Sequence, residues 1–258
     1  MKVVILAGGV GTRLAEETTR RPKPMIEIGG KPILWHIMKI YEHYGYNDFI
    51  ICLGYKGNLI KEYFINYYLY SSDLTVQLSD NKLEVHYTST ESFKVTLVDT
   101  GTDTNTAGRI KRIRPYVGDE TFMLTYGDGV ADINIEELVK FHKTGGKKAT
   151  LTSIRMPGRF GTIQTDKSGV VMDFKEKYLG DEVWINGGFF VLEPGIFDYL
   201  EGDMDAIQWE KKPLIEIAGD HQLMAYKHKG FWKCMDALRD KIELEELWQS
   251  GEAPWKIW

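Results

Sequence analysis

The feature that most constrains this chain is a glycine-rich segment that directly follows an apolar run near its start. The apolar residues 3–7 predict a buried β-strand over Lys2–Ala7. This strand is followed directly by Gly8-Gly9-Val10-Gly11-Thr12-Arg13. Glycines after a strand let backbone N–H groups approach a ligand closely, and a cluster of such groups forms an anion-binding concavity. Arg13 and Lys23, the latter within Pro22-Lys23-Pro24, add two cations. This combination favours a polyphosphate, which offers many acceptor oxygens and a high negative charge.

Two other phosphate-binding loops do not match this segment. A P-loop carries a lysine directly after its last glycine, but here Gly11 is followed by Thr12-Arg13. The dinucleotide fingerprint requires a third glycine, and Leu14 stands at that position. An ordinary glycine-rich turn is the remaining alternative, and the two added cations favour the nucleotide site over it.

The composition excludes several classes of partner. The chain has 258 residues, a formal net charge of −5 and 43% hydrophobic residues, so we expect no nucleic-acid-binding or membrane-binding surface. No apolar stretch is long enough to cross a bilayer, and residues 3–7 are too few for a signal peptide. Cys52 and Cys234 do not suggest a disulfide framework, and Cys52 is interpreted as a core residue. We therefore expect a cytoplasmic protein.

Strand and helix patterns alternate along the first half of the chain. Strands are predicted at Lys2–Ala7, Asp48–Leu53, Lys94–Asp99 and Thr121–Thr125, and helices at Pro32–Tyr44 and Gly57–Tyr70. This alternation predicts an α/β fold with a Rossmann-like, mixed, mostly parallel sheet flanked by helices. Ligands of such sheets bind at the carboxyl ends of the strands, which is where the Gly8–Arg13 and Gly127–Gly129 loops fall.

The second half of the chain is richer in strands. A hairpin is predicted within 74–90, and a turn at 166–169 joins two of the later strands. The later strands are predicted at Ala149–Ile154, Thr162–Thr165, Val170–Phe174 and Val183–Leu192, and the later helices at Gly195–Leu200, Lys212–Gly219 and Ala237–Ser250. Because no linker is evident, we expect a single domain over 1–258 with two lobes, about 1–130 and about 131–258.

Asp128 is the first candidate metal ligand. It follows the apolar run 122–125 and lies between Gly127 and Gly129. A carboxylate on a glycine turn at a strand end suits Mg²⁺, which binds one or two carboxylates together with substrate phosphates. From spacing alone, a turn aspartate that hydrogen-bonds its own backbone is an equally good explanation.

These motifs together resemble a known family. The segment 6–14 with its downstream Pro-Lys-Pro resembles the sugar nucleotidyltransferases (nucleoside-diphosphate-sugar pyrophosphorylases), and the resemblance covers nearly the whole chain. Further stretches resemble the bacterial members that join CTP and glucose 1-phosphate; these are residues 31–38, 125–132, 157–161, 185–192, 235–241 and 253–256. The resemblance implies transfer of CMP from CTP to glucose 1-phosphate with Mg²⁺, which gives CDP-glucose and pyrophosphate.

The same resemblance implies roles for individual residues, with nucleotide binding in the first lobe and sugar binding in the second lobe and C-terminal helix. Arg13 and Lys23 are expected to be catalytic, and Asp128 and Asp236 to hold Mg²⁺. The expected nucleotide-binding residues are Leu6, Ala7, Gly8, Gly9, Val10, Gly11, Thr12, Arg13, Lys23, Thr104, Gly108, Arg109 and Asp128. The expected sugar-phosphate-binding residues are Gly161, Glu176, Lys177, Asn186 and Gly187.

Purely structural explanations stay open for several of these positions. Asp236 could be the N-cap of a helix that begins at Ala237. Glu176 and Lys177 could belong to a solvated run of charges. The segment 104–109 could be a helix N-terminus with Thr106 as its cap, a role compatible with base binding by the same segment. Asp132 and Asp240 are assigned to caps or to the surface.

The sequence leaves alternatives open for the substrate and for the assembly. Cytosine is distinguished from uracil by its exocyclic donor, and we identify no acceptor for it, so UTP, dTTP or another sugar phosphate stay open. A catalytically silent nucleotide-sugar sensor is the alternative from another class. The resemblance also implies a homo-oligomer, for which a hexamer is one arrangement, and a role in O-antigen and lipopolysaccharide biosynthesis. The aromatic C-terminal segment with Trp248, Trp255 and Trp258 could serve an interface or pack on its own domain.

Overall fold

The structure is a computed structural model of the whole chain, and most of its residues can be described. The described residues are 1–9, 11, 14–88, 90–155, 162–165, 171–175 and 184–258. The turn predicted at 166–169 lies outside them.

Strands and helices alternate along the described residues. The strands are β1 (Val3–Leu6), β2 (Glu27–Ile28), β3 (Lys31–Pro32), β4 (Asp48–Leu53), β5 (Ser72–Gln77), β6 (Lys82–Thr88), β7 (Lys94–Asp99), β8 (Phe122–Tyr126), β9 (Gly129–Ala131), β10 (Ala149–Arg155), β11 (Thr162–Thr165), β12 (Val171–Lys175), β13 (Trp184–Asn186), β14 (Phe190–Leu192), β15 (Leu223–Lys227) and β16 (Trp232–Cys234). The α-helices are α1 (Ala15–Thr18), α2 (Ile33–His43), α3 (Gly57–Tyr70), α4 (Thr106–Arg112), α5 (Arg114–Val117), α6 (Ile135–Gly145), α7 (Lys212–Gly219) and α8 (Leu238–Gln249). Short 3₁₀ helices cover Lys23–Met25 and Pro194–Tyr199.

The central sheet confirms the prediction of a mixed, mostly parallel arrangement. Its strand order is β13-β10-β14-β8-β1-β4-β7, with β15 on the free side of β10. Strand β1 is parallel to both β4 and β8, β4 is parallel to β7, and β10 is parallel to β15. Strand β14 runs antiparallel to β8 and β10 and joins the two halves of the chain in one sheet.

The sheet is covered on both faces, as its parallel strands require. Alternate residues of β1 point to opposite faces: Val3 and Ile5 belong to one buried cluster, and Val4 and Leu6 to the other. Helices α2 and α8 contribute to the first cluster, and α4 and α7 to the second. Because each fully buried aliphatic side chain contributes about 1.5–3 kcal/mol, these two clusters hold β1 firmly in place.

Several predicted elements are confirmed. Helix α3 and strands β4, β7 and β11 have the predicted bounds, and α2 differs from its prediction by one residue at each end. The predicted hairpin is present as the antiparallel pair β5–β6. Cys52 is a buried core residue in β4, and both cysteines are free.

Other predictions need correction. The strand predicted at Val183–Leu192 is two strands, because Gly188 (φ +76°) and Phe189 (φ +46°) adopt left-handed backbone conformations that interrupt β pairing. A 3₁₀ helix replaces the helix predicted at Gly195–Leu200. Sequence analysis missed α6, although Asn134 caps its start and Gly146 ends it with φ +60°. It also missed the short strands β9, β15 and β16.

The aromatic C-terminal segment packs on its own domain. Trp255 is buried and stacks on Trp248, and Trp258 meets Trp35 edge-to-face. Within the described residues, no helix has the length and apolar character needed to span a bilayer.

Candidate active site

The carboxyl ends of β1 and β8 lie side by side at the centre of the sheet. Leu6 and Tyr126, their last residues, are paired in register, and the Gly127 N–H donates to the Leu6 carbonyl at 3.0 Å. A Cβ at position 127 would lie 2.9 Å from that carbonyl oxygen, so the close approach of the two chains requires glycine. The glycine-rich segment and Asp128 therefore start from neighbouring points.

A cavity of about 330 Å³ opens at these strand ends. Segments that are distant in sequence form its wall: the end of β1, the Lys23 helix, the start of α4, the end of β8 and the connection after β16. The lining residues are Leu6, Ala7, Gly8, Gly9, Gly11, Lys23, Pro24, Thr104, Asn105, Thr106, Arg109, Tyr126, Gly127, Asp128 and Asp236. The fold thus brings most of the described residues that we expected at a nucleotide and a metal into one place.

The pairing of β9 with β16 places Asp236 beside Asp128. Gly129, which follows Asp128, pairs with Cys234, and the Met235 N–H donates to the Asp128 carbonyl at 2.8 Å. Asp128, Cys234 and Asp236 each offer a ligand atom, and these three atoms lie within 4.8 Å of one another. Among the described residues, no other group of three histidine, cysteine or acidic side chains meets this condition.

The Lys23 ammonium lies between the two carboxylates. Its Nζ donates to Asp128 Oδ2 and to Asp236 Oδ1, each at 2.6 Å, and its side chain is only 13% exposed. Burial by itself would lower the pKa of Lys23, but the charge of Asp128 and the hydrogen bonds to both carboxylates outweigh it, so the pKa is raised. Lys23 is therefore a permanent cation at the cavity wall.

The carboxylate pair fits a divalent cation. An ammonium already occupies the position between Asp128 and Asp236, which shows that their oxygens converge on one cationic centre. Carboxylate oxygens are also the ligands that Mg²⁺ prefers in proteins. The donor set thus agrees with the predicted Mg²⁺ site.

The alternative role that we considered for Asp236 is wrong. Ala237, not Asp236, is the N-cap of α8. The Asp240 carboxylate accepts hydrogen bonds from the N–H groups of Asp236 and Ala237 at 3.0 and 2.8 Å, which confirms Asp240 as a capping residue. Because Asp240 performs the capping, the Asp236 carboxylate faces Lys23.

Arg109 holds the glycine-rich segment in place. Its guanidinium donates to the carbonyls of Leu53 (2.9 Å) and Gly8 (3.0 Å) and to the Thr100 hydroxyl (2.7 Å). A Cβ at position 8 would lie 2.1 Å from Arg109 Nη1, so only glycine leaves room for this arrangement. Arg109 lines the cavity, and these three donors point to protein oxygens, so its role in nucleotide binding stays a prediction.

The start of α4 also differs in detail from expectation. The helix begins at Thr106, but Asn105 is the cap, and its side chain accepts from the Thr106 N–H at 2.9 Å. The Thr106 hydroxyl instead donates to Glu210 at 3.0 Å. Gly108 does not line the cavity; it faces Asp205, whose Oδ1 would lie 2.8 Å from an added Cβ. Its missing side chain thus accommodates packing of the protein on itself.

Tyr126 bonds two residues from the second half of the chain, and sequence analysis missed it. Its hydroxyl donates to Glu210 at 2.6 Å and accepts from the Asn186 amide at 3.1 Å. Burial, with the nearby Glu210 charge, raises the pKa of Tyr126, so the hydroxyl stays protonated. Asn186, expected on the sugar side, is thereby linked to a residue of the cavity wall. The position of Tyr126 directly before Gly127-Asp128 was the available signal.

Gly187 has a packing role of its own. Its carbonyl accepts from Trp232 Nε1 at 2.8 Å, and an added Cβ would lie 2.8 Å from a side-chain carbon of Ile154. The remaining expected site residues lie outside the described part of the chain; they are Val10, Thr12, Arg13, Gly161, Glu176 and Lys177.

Comparisons with known proteins agree with this geometry. The sequence model of the family described as "Nucleotidyl transferase" matches residues 2–240. Glucose-1-phosphate cytidylyltransferases of Salmonella typhimurium and Salmonella typhi are each 57% identical to this chain, with 100% of both chains covered. The crystal structure of HddC from Yersinia pseudotuberculosis is 25% identical, with a TM-score of 0.69 over 96% of this chain and 99% of that one. The chain belongs to the nucleotidyl transferase family, in its glucose-1-phosphate cytidylyltransferase branch.

Proposed function

We propose that this protein transfers CMP from CTP to α-D-glucose 1-phosphate and releases pyrophosphate, with CDP-glucose as the product. The observation that carries the proposal is the 57% identity, over the full length, to the glucose-1-phosphate cytidylyltransferase of Salmonella typhimurium. The cavity adds independent support, because it combines residues of a glycine-rich segment with the Lys23 cation and a carboxylate pair.

The chemistry requires positioning and charge neutralisation more than proton transfer. An oxygen of the sugar phosphate attacks the α-phosphorus of CTP, a P–O bond forms, and the bond to the β-phosphate oxygen breaks as pyrophosphate leaves. The second pKa of a phosphomonoester is about 6, so the nucleophile is already ionised at neutral pH and needs no general base. The protein has to hold two highly charged substrates in line.

Lys23 is suited to stabilise the charge on the transferring phosphate. An ammonium carries three N–H donors, and its bonds to Asp128 and Asp236 engage two of them. Lys23 also lines the cavity beside Gly9 and Gly11. Arg13 is proposed as the second catalytic cation on the basis of the sequence motif.

Mg²⁺ is proposed as the cofactor, held by Asp128 and Asp236. When bound, the ion would neutralise negative charge on the triphosphate. Asn186 and Gly187 are proposed to face the sugar, together with Gly161, Glu176 and Lys177.

Pyrophosphate release tests the proposed function directly. The protein is supplied with glucose 1-phosphate and Mg²⁺, in parallel with CTP, UTP, dTTP, ATP and GTP, and the nucleotide sugar is identified by mass. We expect release with CTP and a product with the mass of CDP-glucose. Release with another nucleotide alone would contradict the choice of base, and no release with any of them would favour the silent-sensor alternative.

We further propose that the chain assembles with copies of itself. Large apolar side chains on α3 and on the β5–β6 hairpin are exposed; they are Ile65, Tyr68, Tyr70, Val76, Leu78, Leu83 and Tyr87. Their concentration on one part of the fold is typical of an interaction surface. The family resemblance favours a hexamer. It also favours a location in the cytoplasm and a role in surface-polysaccharide synthesis.

Solution mass tests the proposed assembly. Val76 and Leu83 are cross-strand partners. The double substitution Val76→Lys and Leu83→Glu therefore puts charge on this surface, while the two opposite charges still attract each other across the hairpin. We expect light scattering to give a multiple of the 29.6 kDa chain for the unsubstituted protein and a smaller mass for the variant. Ile215→Lys, at an exposed apolar position on α7, is the control that should keep the assembly. A single-chain mass for the unsubstituted protein would contradict the proposal.

A further inference from the structure

Cys234 is a potential metal ligand beside Asp128 and Asp236 that the proposed reaction does not use. It is the last residue of β16 and lies opposite Gly129, the residue that follows Asp128. Its ligand atom lies within 4.8 Å of the carboxylate oxygens of Asp128 and Asp236. The thiol also hydrogen-bonds to Asp236 and lies within electrostatic range of Lys23. The sulfur therefore belongs to the same cluster as the carboxylate pair.

The spacing of these three groups suits a single metal ion. Zinc binds carboxylate oxygens at about 2.0–2.2 Å and thiolate sulfur at about 2.3 Å, so its ligand atoms stand roughly 3–4 Å apart. Groups whose atoms already lie within 4.8 Å of one another reach that spacing with small side-chain movements. The ammonium of Lys23 lies between the two carboxylates, so a metal ion that binds there takes the place of this ammonium.

A sulfur donor changes which cations such a site prefers. Mg²⁺ binds oxygen ligands and retains several waters, so it gains little from a thiol. Soft thiolate ligands select Zn²⁺ and similar ions, and a thiol that coordinates such an ion loses its proton.

We propose that Cys234 forms, with Asp128 and Asp236, a mixed sulfur–oxygen site for thiophilic divalent cations such as Zn²⁺, Co²⁺ and Cd²⁺, in competition with Mg²⁺. The proposal rests on the proposed function insofar as the carboxylate pair is the Mg²⁺ site. It makes Cys234 the residue that sets the metal preference of this chain. When a thiophilic ion is added, it binds to the carboxylate pair and prevents Mg²⁺ from binding there.

Absorption spectroscopy of the full chain tests the proposal without measuring turnover. Cobalt or cadmium bound to a thiolate gives a sulfur-to-metal charge-transfer band, and the chain has two cysteines that could produce one. Cys52 is fully buried in β4 and does not belong to the cluster of Asp128, Cys234 and Asp236. We therefore expect the band to persist in Cys52→Ala and to disappear in Cys234→Ser. We also expect the Zn²⁺ affinity of Cys234→Ser to fall at least about tenfold, since even the loss of a ligand's supporting partner typically costs that much.

A second measurement uses the unsubstituted protein, so it does not depend on the folding of a variant. The protein is treated with a thiol-alkylating reagent with and without Cd²⁺, and the modified peptides are identified by mass spectrometry. We expect Cd²⁺ to protect Cys234 and Mg²⁺ not to protect it. Equal alkylation of Cys234 with and without Cd²⁺ would overturn the proposal, as would a charge-transfer band that survives in Cys234→Ser.

The proposed function can fail separately from this inference. Pyrophosphate release by the unsubstituted protein with Mg²⁺ and CTP tests the function, whereas the sulfur band and the alkylation pattern test the metal site. Pyrophosphate release without a sulfur band would keep the function and overturn the mixed site. A sulfur band without pyrophosphate release would keep the mixed site and overturn the function.

Discussion

The Nζ atom of Lys23 lies 2.6 Å from Oδ1 of Asp236, although the two residues are 213 positions apart in the sequence. The contact depends on β16, which pairs with β9 and carries the following residues to the Asp128 side of the cavity. The same ammonium donates to Asp128 at 2.6 Å. One partly buried cation thus joins segments from the beginning, middle and end of the chain.

Replacing Lys23 should impair the reaction. We expect Lys23→Ala to lower turnover by more than about tenfold, because removal of a preorganised group that stabilises transition-state charge typically costs 10²–10³-fold. Pyrophosphate release at saturating CTP and glucose 1-phosphate is the measurement. Lys143→Ala, at an exposed position on α6, is the matched control and should keep normal turnover. Turnover within twofold of normal in Lys23→Ala would remove Lys23 from the mechanism.

Removing the Tyr126 hydroxyl should weaken the contact of β8 with Asn186 and Glu210. In Tyr126→Phe the Asn186 amide and the Glu210 carboxylate both lose a partner. Each of these two partly buried hydrogen bonds contributes about 0.5–1.5 kcal/mol, so we expect the free energy of unfolding to fall by about 1–3 kcal/mol. Urea denaturation measures it, and Tyr116→Phe is the control because Tyr116 is exposed. Equal stability of the two variants would show that this network contributes little.

Two neighbouring glycines should respond differently to alanine. A Cβ at position 8 would lie 2.1 Å from the Arg109 guanidinium, whereas nothing lies within 4 Å of a Cβ at position 9. Because overpacking costs about 1–3 kcal/mol, Gly8→Ala should be destabilised by that amount and Gly9→Ala should not. Thermal unfolding of both variants in the same buffer makes the comparison, and equal melting temperatures would contradict the role assigned to Arg109.

His36 should make the protein less stable in mild acid. It is 1% exposed, donates through Nε2 to the Ile28 carbonyl at 2.8 Å, and burial lowers its pKa to about 4. As the pH falls from about 6.5 towards 4, the unfolded chain binds a proton at this histidine and the folded protein does not, so stability is lost. The loss attributable to His36 is at most about 3 kcal/mol.

Unfolding by urea at pH 7 and pH 4.5 measures this contribution. His36→Gln should lose less stability between the two pH values than the unsubstituted protein, because glutamine does not titrate. His86→Gln is the control, since His86 lies exposed on the hairpin. If the His36 variant and the unsubstituted protein lose the same stability, the histidine is not responsible for the acid sensitivity.

Much of the fold could be predicted because its signals are local. The apolar periodicity of α2 and α3 and the turn between β5 and β6 lie within short windows, and these elements were predicted closely. The interruption after β13 could not be predicted, since Phe189 adopts a left-handed conformation that only its packed surroundings maintain. Strands β9 and β16 are too short for a clear pattern, and each is defined by the other.

The candidate site was predictable in composition but not in its contacts. Lys23, Asp128 and Asp236 were expected near phosphate and metal from motifs, but nothing in the sequence placed the lysine between the two carboxylates. Arg109 was expected among the nucleotide-binding residues, but nothing in the sequence indicated that its guanidinium donates to the carbonyls of Gly8 and Leu53. Cys234 appeared only as one of two cysteines, because its nearness to Asp128 depends on a strand pairing between distant segments.

By itself, the sequence determined that the chain begins with a strand followed by a glycine-rich segment. It also determined the alternation of strands and helices that produces a covered parallel sheet, and the residue types that can bind phosphate and a cation. These follow from short-range backbone preferences and hydrophobic periodicity, which act within a few residues. Only the tertiary structure decided which of these residues meet. One cluster contains Lys23, Asp128, Cys234 and Asp236. It forms because β9, which follows Asp128, pairs with β16, which ends at Cys234.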